Sequence, residues 1–252
     1  MAGHSKWANI KHRKAAQDTK RAKVWTRLIR EVTIAAREGG GDSDANPRLR
    51  AAVLTARSAN MPNDTVEKAI KRGTGDMDGV IYEEINYEGY GPAGVAILVE
   101  TQTDNKNRTA AEVRHVFTKY NGKLGSTGCV SYLFTRKGMI LLTSEEGPVD
   151  VETAMDAAIE NGAEDVEEND GSVVVTTAME DLHSVSTALT EAGLPVSNAE
   201  LIMEASTEVE ITDEKEAAGV LRLVGMLDDL DDVSSVSANF DIDAELMAKL
   251  DS

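Results

Sequence analysis

The chain has almost no cysteine and few aromatic residues. Its 252 residues include a single cysteine, Cys129, and only 4% Phe, Trp and Tyr. One thiol cannot form an internal disulfide or a cysteine-rich zinc site. The core must therefore be built mainly from Val, Ile, Leu, Ala and Met, with little aromatic surface left to line a ligand pocket. We expect no cofactor, no metal and no small-molecule substrate.

Long apolar segments are also missing. No apolar run approaches the roughly 20 residues that a helix needs to cross a bilayer. The N-terminus is basic, but no apolar stretch of the kind found in secretory signals follows it. These features predict a cytoplasmic protein with no membrane partner.

Catalytic patterns are absent from the sequence as well. The four histidines are scattered and lack partners at metal-ligand spacing, and there is no nucleophile elbow or nucleotide-binding fingerprint. Carboxylates are abundant in residues 150–161, 180–191 and 228–232, where we expect solvated surfaces. The sequence predicts that the protein is not an enzyme.

Charge is distributed very unevenly along the chain. The formal net charge is −18, yet residues 1–72 hold 16 Lys and Arg against 7 Asp and Glu, whereas residues 73–252 hold 10 against 37. A second basic stretch, residues 104–137, holds seven basic and two acidic residues. This asymmetry indicates a polyanionic partner that approaches from one side of the molecule.

The N-terminal third has a helical pattern. Residues 3–16 lack apolar periodicity and are expected to form an extended or weakly helical arm. From residue 18 to 38, apolar residues recur every three or four positions, which predicts an amphipathic helix with a cationic opposite face. A second helix is predicted over 47–59 with Asn46 as its N-cap, and a third ends with Gly73 as a C-terminal cap.

The pattern changes after residue 78. Alternating β-branched and aromatic residues around a Gly/Pro turn predict a hairpin over 80–103, followed by a helix over 107–120 and strands at 129–135 and 139–143. Residues 138–205 show the order βαββαβ, which is typical of a ferredoxin-like fold. Strand and helix signals on both sides of that segment indicate that it is inserted into another domain.

The predicted fold class is therefore α+β, with three domains. They are a basic helical bundle over 1–78, a discontinuous α/β middle domain over 79–137 and 206–252, and an acidic ferredoxin-like domain over 138–205.

Nucleic acid is the favoured partner because the basic residues of the arm are not required by any core. Lysine and arginine there can neutralise phosphates, while Trp7 either stacks on an unpaired base or is buried against the bundle. Helix N-termini in the basic stretches provide further phosphate sites. The candidate nucleic-acid-binding residues are Lys6, Trp7, Lys11, Arg13, Lys14, Lys20, Arg21, Lys23, Arg27, Arg30, Arg48, Arg50, Lys71, Arg72, Lys106, Arg108 and Arg114.

Five segments resemble the YebC/PmpR family, to which the mitochondrial translational activators of cytochrome c oxidase also belong. They are the whole of residues 1–53, from "MAGHSKWANIKHRK" onward, and "NMPNDTVEKAIKRGTG", "EGYGPAG", "TDNKNRTAAEVRH" and "VSYLFTRKG". The resemblance covers essentially the whole chain and implies the same three-domain layout, with no catalytic residues. Cys129 departs from the small residue expected there.

Two functions remain open. The family resemblance implies a DNA-binding transcriptional regulator, and for some members a ribosome-associated factor that assists translation through stretches such as consecutive prolines. In the second case the arm would enter folded ribosomal RNA, and its composition suits such a role. Both interpretations predict that affinity falls steeply with salt.

Overall fold

A computed structural model describes residues 21–144, 147–169 and 171–250. It shows an α+β protein with an N-terminal helical domain, a discontinuous α/β middle domain and an inserted ferredoxin-like domain. Each domain has its own apolar core.

The helical domain consists of three amphipathic helices. They are α1 (Arg21–Gly39), α2 (Pro47–Ser58) and α3 (Asn63–Thr74). Asn46 caps α2 as predicted, because its side-chain oxygen accepts a hydrogen bond from the main-chain N–H of Leu49 at 3.1 Å. Val32, Leu49 and Val66 come from different helices and meet in the buried core.

Gly73 does not cap α3, so that prediction is wrong. The cap is Gly75, whose φ of 85° lies in the left-handed region. Gly73 is buried inside the helix, where an added Cβ would lie 2.4 Å from the carbonyl oxygen of Thr33 and 2.7 Å from Cβ of Ala36. The missing side chain lets α3 approach α1 closely, a requirement of helix packing that a local turn signal does not reveal.

Gly73→Ala is expected to lower the free energy of unfolding by about 2 kcal/mol, because the added methyl group must push two packed helices apart. Gly225→Ala is the matched control, since nothing lies within 4 Å of a Cβ added there. It should raise stability by up to about 1 kcal/mol through helix propensity. Urea denaturation of both variants measures the difference, and equal stabilities would contradict the packing role of Gly73.

The middle domain is built from two separate segments of the chain. Its elements are β1 (Glu83–Tyr90), β2 (Ala96–Thr103), α4 (Lys106–Lys119), β3 (Lys123–Leu124), β8 (Val209–Ile211), α7 (Glu214–Asp228), β9 (Val233–Ala238), β10 (Phe240–Ile242) and α8 (Ala244–Leu250). Four of the strands form a sheet with the order β3, β1, β2, β9. β9 follows the inserted domain in sequence and pairs antiparallel with β2, which makes the middle domain discontinuous. Helices α4 and α7 cover one face of the sheet, where Phe117 and Leu223 pack against Ile97.

The inserted domain has the ferredoxin-like arrangement. Its elements are β4 (Phe134–Leu142), α5 (Val151–Glu160), β5 (Ala163–Asn169), β6 (Ser172–Ala178), α6 (Leu182–Glu191) and β7 (Val196–Ala205). The four strands form an antiparallel sheet with the order β5, β6, β4, β7. Both helices pack on one face of the sheet around Ile140, Val175 and Leu189.

Two predicted strands, at 129–135 and 139–143, do not form as separate elements. Residues 131–133 form a short 3-10 turn, and β4 then runs without a break to Leu142. The residues between the two predicted strands pair with β7 as part of a ladder that begins with Phe134 opposite Ala205. Cross-strand hydrogen bonds outweigh the weak local preference.

Candidate nucleic-acid interface

Part of the predicted interface falls outside the described residues. Lys6, Trp7, Lys11, Arg13, Lys14 and Lys20 precede residue 21, and only the backbone of Arg21 is described. Their assignment to nucleic acid stays a prediction from sequence. The remaining candidates can be placed.

The cationic face of α1 lies against the C-terminal end of α7. Lys23 Nζ donates a hydrogen bond to the Asp228 carbonyl at 2.7 Å, and Arg27 both donates to that carbonyl and lies 3.2 Å from the Asp228 carboxylate. Arg30 donates to the main-chain oxygen of Asp231. Positive charge is favourable at the negative end of a helix dipole, so these contacts hold the helical domain to the middle domain.

Asp232 lies at the centre of this contact and is almost fully buried. One carboxylate oxygen accepts hydrogen bonds from Arg108 at 2.6 Å, Thr109 at 2.7 Å and Thr103 at 3.0 Å. The other oxygen lies 3.1 Å from an Arg30 nitrogen. Burial acts to raise the pKa of Asp232, but these donors and the Arg30 charge outweigh it, and the pKa is lowered.

The expectation that residues 228–232 form a solvated acidic face is confirmed for Asp229 and Asp231, which are exposed, but is wrong for the other two carboxylates. Asp232 is 1% exposed, and Asp228 is half-buried against Arg27. The reason is tertiary: α1 and the N-terminal end of α4 bring three cationic side chains to a loop that is far from them in sequence.

Arg48 forms a second contact between the same two domains. Its guanidinium makes two hydrogen bonds to Glu31, at 2.8 and 3.0 Å, and two to Glu84 of β1, at 2.7 and 3.2 Å. Gln102 of β2 donates to Glu31 at 2.5 Å. The hydrogen bonds to Glu31 raise the pKa of Arg48 most, burial opposes them, and Glu84 adds to the rise. The geometry is a bidentate arginine–carboxylate fork.

Many of the predicted phosphate-binding residues make contacts within the protein itself. Lys23, Arg27, Arg30, Arg48 and Arg108 all form ion pairs between elements or domains. Arg50 donates to the main-chain oxygens of the loop before α2, at Ser43 and Asp44. Whether any of them also contacts nucleic acid stays a prediction.

A second set of cations remains available at the surface. Arg57 on α2 and Lys71 and Arg72 on α3 are exposed, and no carboxylate among residues 21–144, 147–169 and 171–250 lies within 4.0 Å of their charged groups. Arg114 on α4 is likewise exposed, and Lys106 makes a 3.8 Å contact with Glu83.

The structure adds a cationic group that sequence reasoning missed. Lys119 at the end of α4 and Arg222 on α7 both lie over the ring of Tyr120, at 5.5 and 5.6 Å from its centroid. Lys119 belongs to the basic stretch 104–137, but Arg222 comes from an acidic segment. Only the packing of α7 against α4 brings the two together.

Glu88 is a buried carboxylate that the sequence did not single out. It accepts hydrogen bonds from the main-chain N–H groups of Gly128, Val130 and Ser131 at 2.7, 2.7 and 2.8 Å. Burial acts to raise its pKa, but the three donors lower it by more, so the net shift is downward. The carboxylate fixes the loop over residues 125–131 against β1.

Neither a metal cluster nor a membrane-spanning helix is found in the described part of the chain. Among those residues, no group of three or more His, Cys, Asp and Glu side chains is placed to hold a metal ion. No helix within the same ranges is both long and apolar enough to span a bilayer.

Fold and charge together define a class: a three-domain α+β protein whose basic helical domain is joined to the middle domain by ion pairs. Residues 5–76 match the TACO1/YebC protein N-terminal domain, and residues 82–240 match the TACO1/YebC second and third domain. The chain belongs to the TACO1/YebC family.

Relatives and a solved structure agree with this assignment. A protein of Desulfotalea psychrophila is 51% identical over 99% of both chains, and one of Nitrosococcus oceani is 53% identical over 99% of this chain and all of its own. Both carry the name "probable transcriptional regulatory protein". The crystal structure of a conserved hypothetical protein from Aquifex aeolicus has 47% identity and a TM-score of 0.84, and covers 95% of this chain and 98% of its own.

Proposed function

We propose that this protein regulates gene expression in the cytoplasm by binding nucleic acid through its basic helical domain, as a DNA-binding transcriptional regulator. The observation that carries the proposal is that the Lys and Arg side chains of the protein fall into two sets. One set is used in ion pairs that join the domains, and a second set, Arg57, Lys71 and Arg72, is exposed on α2 and α3. The names of the relatives support a regulatory role.

The exposed set suits phosphate binding because it is not needed to hold the fold. Each phosphate that a Lys or Arg neutralises releases condensed counterions, so affinity depends on the logarithm of the salt concentration. The acidic remainder of the chain, with 37 Asp and Glu against 10 Lys and Arg in residues 73–252, repels a polyanion. Nucleic acid would therefore approach the helical side of the molecule.

We also propose that the protein acts by binding alone. Among the described residues, the buried carboxylates Glu88 and Asp232 have lowered pKa values and are held by hydrogen bonds and ion pairs. They are ionised at neutral pH and do not have the raised pKa of a general acid. Their arrangement supports a structural role.

Neutralising the exposed set should weaken binding of duplex DNA and reduce its salt dependence. For Arg57→Gln, Lys71→Gln and Arg72→Gln we expect each change to reduce the slope of log K against log salt by about 0.9, and the triple variant by about 2 to 3. Fluorescence anisotropy with a labelled duplex, titrated between about 50 and 300 mM salt, measures the slope.

Lys215→Gln is the matched control, because Lys215 is exposed on α7 in the acidic part of the chain. It should leave both the affinity and the slope unchanged. If the wild-type protein bound every nucleic acid tested without salt dependence, the proposal that it functions by binding nucleic acid would be wrong.

A ribosome-associated role is the second candidate, and the cations around Tyr120 favour it. Lys119 and Arg222 place positive charge on the middle domain as well as on the helical domain, as expected for a protein that lies along folded RNA. Sedimentation of a lysate on a sucrose gradient distinguishes the two roles. Comigration with ribosomal subunits that is lost when Lys11, Arg13 and Lys14 are changed to glutamate would favour translation. Lys23 is left intact because it contacts Asp228 and Asp229.

A further inference from the structure

The loop over residues 125–131 and the start of β4 lie in a stretch of sequence that has basic residues but no acidic ones. From residue 113 to 144 the chain has five Lys and Arg and no Asp or Glu, although 44 of its 252 residues are acidic. Two of these cations, Arg136 and Lys137, pair with Glu100 and Glu164. The other three, Arg114, Lys119 and Lys123, are exposed, and no carboxylate of the described residues lies within 4.0 Å of their charged groups.

Glu88 makes this loop rigid. Its carboxylate takes three main-chain hydrogen bonds from residues 128–131, and the N–H of Gly125 donates to the Glu88 carbonyl at 2.8 Å. Gly125 also packs so closely on Cys129 that an added Cβ would lie 2.5 Å from its sulfur. A loop held in this way presents its side chains with little loss of conformational entropy on binding.

Two tyrosines are presented at this surface. Tyr132, directly after the loop, is 73% exposed, and Tyr90 at the end of β1 is 38% exposed. The Tyr90 hydroxyl donates to the Cys129 carbonyl at 2.9 Å, which fixes its ring against the loop. Tyr132 follows three residues after Cys129, whose carbonyl holds the Tyr90 hydroxyl, so both tyrosines border the same loop. Burial raises the pKa of Tyr90 most.

Lys123 completes the group. It pairs directly with Tyr90 between β3 and β1, which puts both side chains on the same face of the sheet. The adjacent Gly89 faces Phe117 of α4, so Tyr90 and Lys123 lie on the face away from the helices. Among the described residues, no carboxylate lies within 4.0 Å of the Lys123 ammonium group.

We propose that Tyr132, Tyr90 and Lys123 form a stacking site for unpaired bases of single-stranded nucleic acid. An exposed aromatic ring offers a π face to any base, and a neighbouring ammonium group can contact the backbone phosphate. The exposed Lys123 beside Tyr90 favours a polyanion such as nucleic acid over a basic protein partner. The proposal rests on the proposed function and specifies which form of nucleic acid this second surface takes.

The test uses the full-length protein and three labelled probes of about 12 nucleotides each, a length suited to one binding surface. They are oligouridine, oligothymidine and a duplex. Tyr132→Ala should weaken binding of both single strands about 10-fold, whereas Tyr132→Phe should bind as the wild type does, since the ring is retained. Duplex binding should be unchanged by either substitution.

The dependence of affinity on salt concentration distinguishes base stacking from phosphate neutralisation. Tyr132→Ala should leave the slope of log K against log salt for oligouridine unchanged, while Lys123→Gln should reduce it by about 0.7. Ile159→Ala, which removes an exposed apolar side chain from the ferredoxin-like domain, is the control for loss of surface area and should have no effect. Thermal melting should show all four variants within about 2 °C of the wild type.

The outcomes also distinguish this inference from the proposed function. Equal single-strand affinity for Tyr132→Ala and the wild type would overturn the stacking site while leaving binding by the helical domain intact. A wild-type protein that binds none of the three probes would overturn both. If Tyr132→Ala weakened duplex binding by the same factor as single-strand binding, a site specific for unpaired bases would also be contradicted.

Discussion

Asp232→Ala is expected to lower the free energy of unfolding by about 4 kcal/mol, because it removes a buried carboxylate that pairs with Arg30 and accepts hydrogen bonds from Arg108, Thr103 and Thr109. Arg30 would lose the carboxylate it pairs with, whereas Arg108 would keep its 2.8 Å contact with Asp104. Losing one partner of a buried pair costs far more than the pair contributes in net terms, since the remaining charge keeps its desolvation penalty.

The same substitution should loosen the helical domain from the middle domain. Both tryptophans of the chain, Trp7 and Trp25, lie within its first 25 residues, so tryptophan fluorescence reports on the helical domain and far-UV circular dichroism on the whole protein. In urea we expect the fluorescence transition of Asp232→Ala to occur at lower denaturant than the dichroism transition.

Asp231→Ala is the matched control for Asp232. The Asp231 side chain is exposed, and Arg30 uses its main-chain oxygen, which the substitution keeps. A change within about 0.5 kcal/mol is expected. Equal losses of stability in the two variants would show that the buried network has no special role.

Glu88→Ala is expected to cost about 3 kcal/mol. The substitution leaves the N–H groups of Gly128, Val130 and Ser131 without their acceptor, and an unsatisfied buried donor is more costly than the net value of the bond it made. Urea denaturation measures the loss. Glu83→Ala, in the same strand but exposed and with a 3.8 Å contact to Lys106, should change stability by less than about 0.5 kcal/mol.

The pH dependence of stability should carry the signature of the same carboxylate. The pKa of Glu88 in the folded protein is lowered from an ordinary value of 4.5, so its contribution is fully present above that pH and is lost as the pH falls through the folded value. The pKa of Asp232, lowered from 3.8, adds to the loss at somewhat lower pH. We expect the free energy of unfolding to fall steeply below about pH 4.5 in the wild type.

Glu88→Gln isolates this effect. Its amide oxygen can still accept from Val130 and Ser131, but its nitrogen then faces the Gly128 N–H, and the side chain no longer titrates. The variant should be less stable near neutral pH and show a shallower decline on acidification through about pH 4.5, measured by urea denaturation at each pH. Parallel curves for variant and wild type would contradict a lowered pKa for Glu88.

Local signals in the sequence were sufficient for several elements. The cap at Asn46 was predicted because the signal lies next to the helix start. The helix Lys106–Lys119 was predicted within one residue of its bounds, and its N-cap Asn105 accepts from the Arg108 N–H at 3.1 Å. The order βαββαβ over 138–205 was enough to predict the ferredoxin-like domain, because each element has its own periodicity and turn.

Features that depend on distant contacts could not be found in this way. Gly73 resembles a helix cap, and only the approach of α3 to α1 shows that it is a packing residue. Arg30 and Asp232 are far apart in the chain and meet only at the contact between two domains. Nothing in either local sequence distinguishes them from solvated charges.

By itself, the sequence determined the composition of the core, the three-domain order and the strong separation of basic and acidic segments. These properties are local or additive, so periodicity and charge counts are enough to establish them. The tertiary structure alone decided which Lys and Arg side chains form ion pairs within the protein and which stay exposed at the surface. That choice depends on the distance and burial of partners from different domains, and it turns Arg27, Arg30 and Arg48 into interdomain contacts while leaving Arg57, Lys71 and Arg72 exposed.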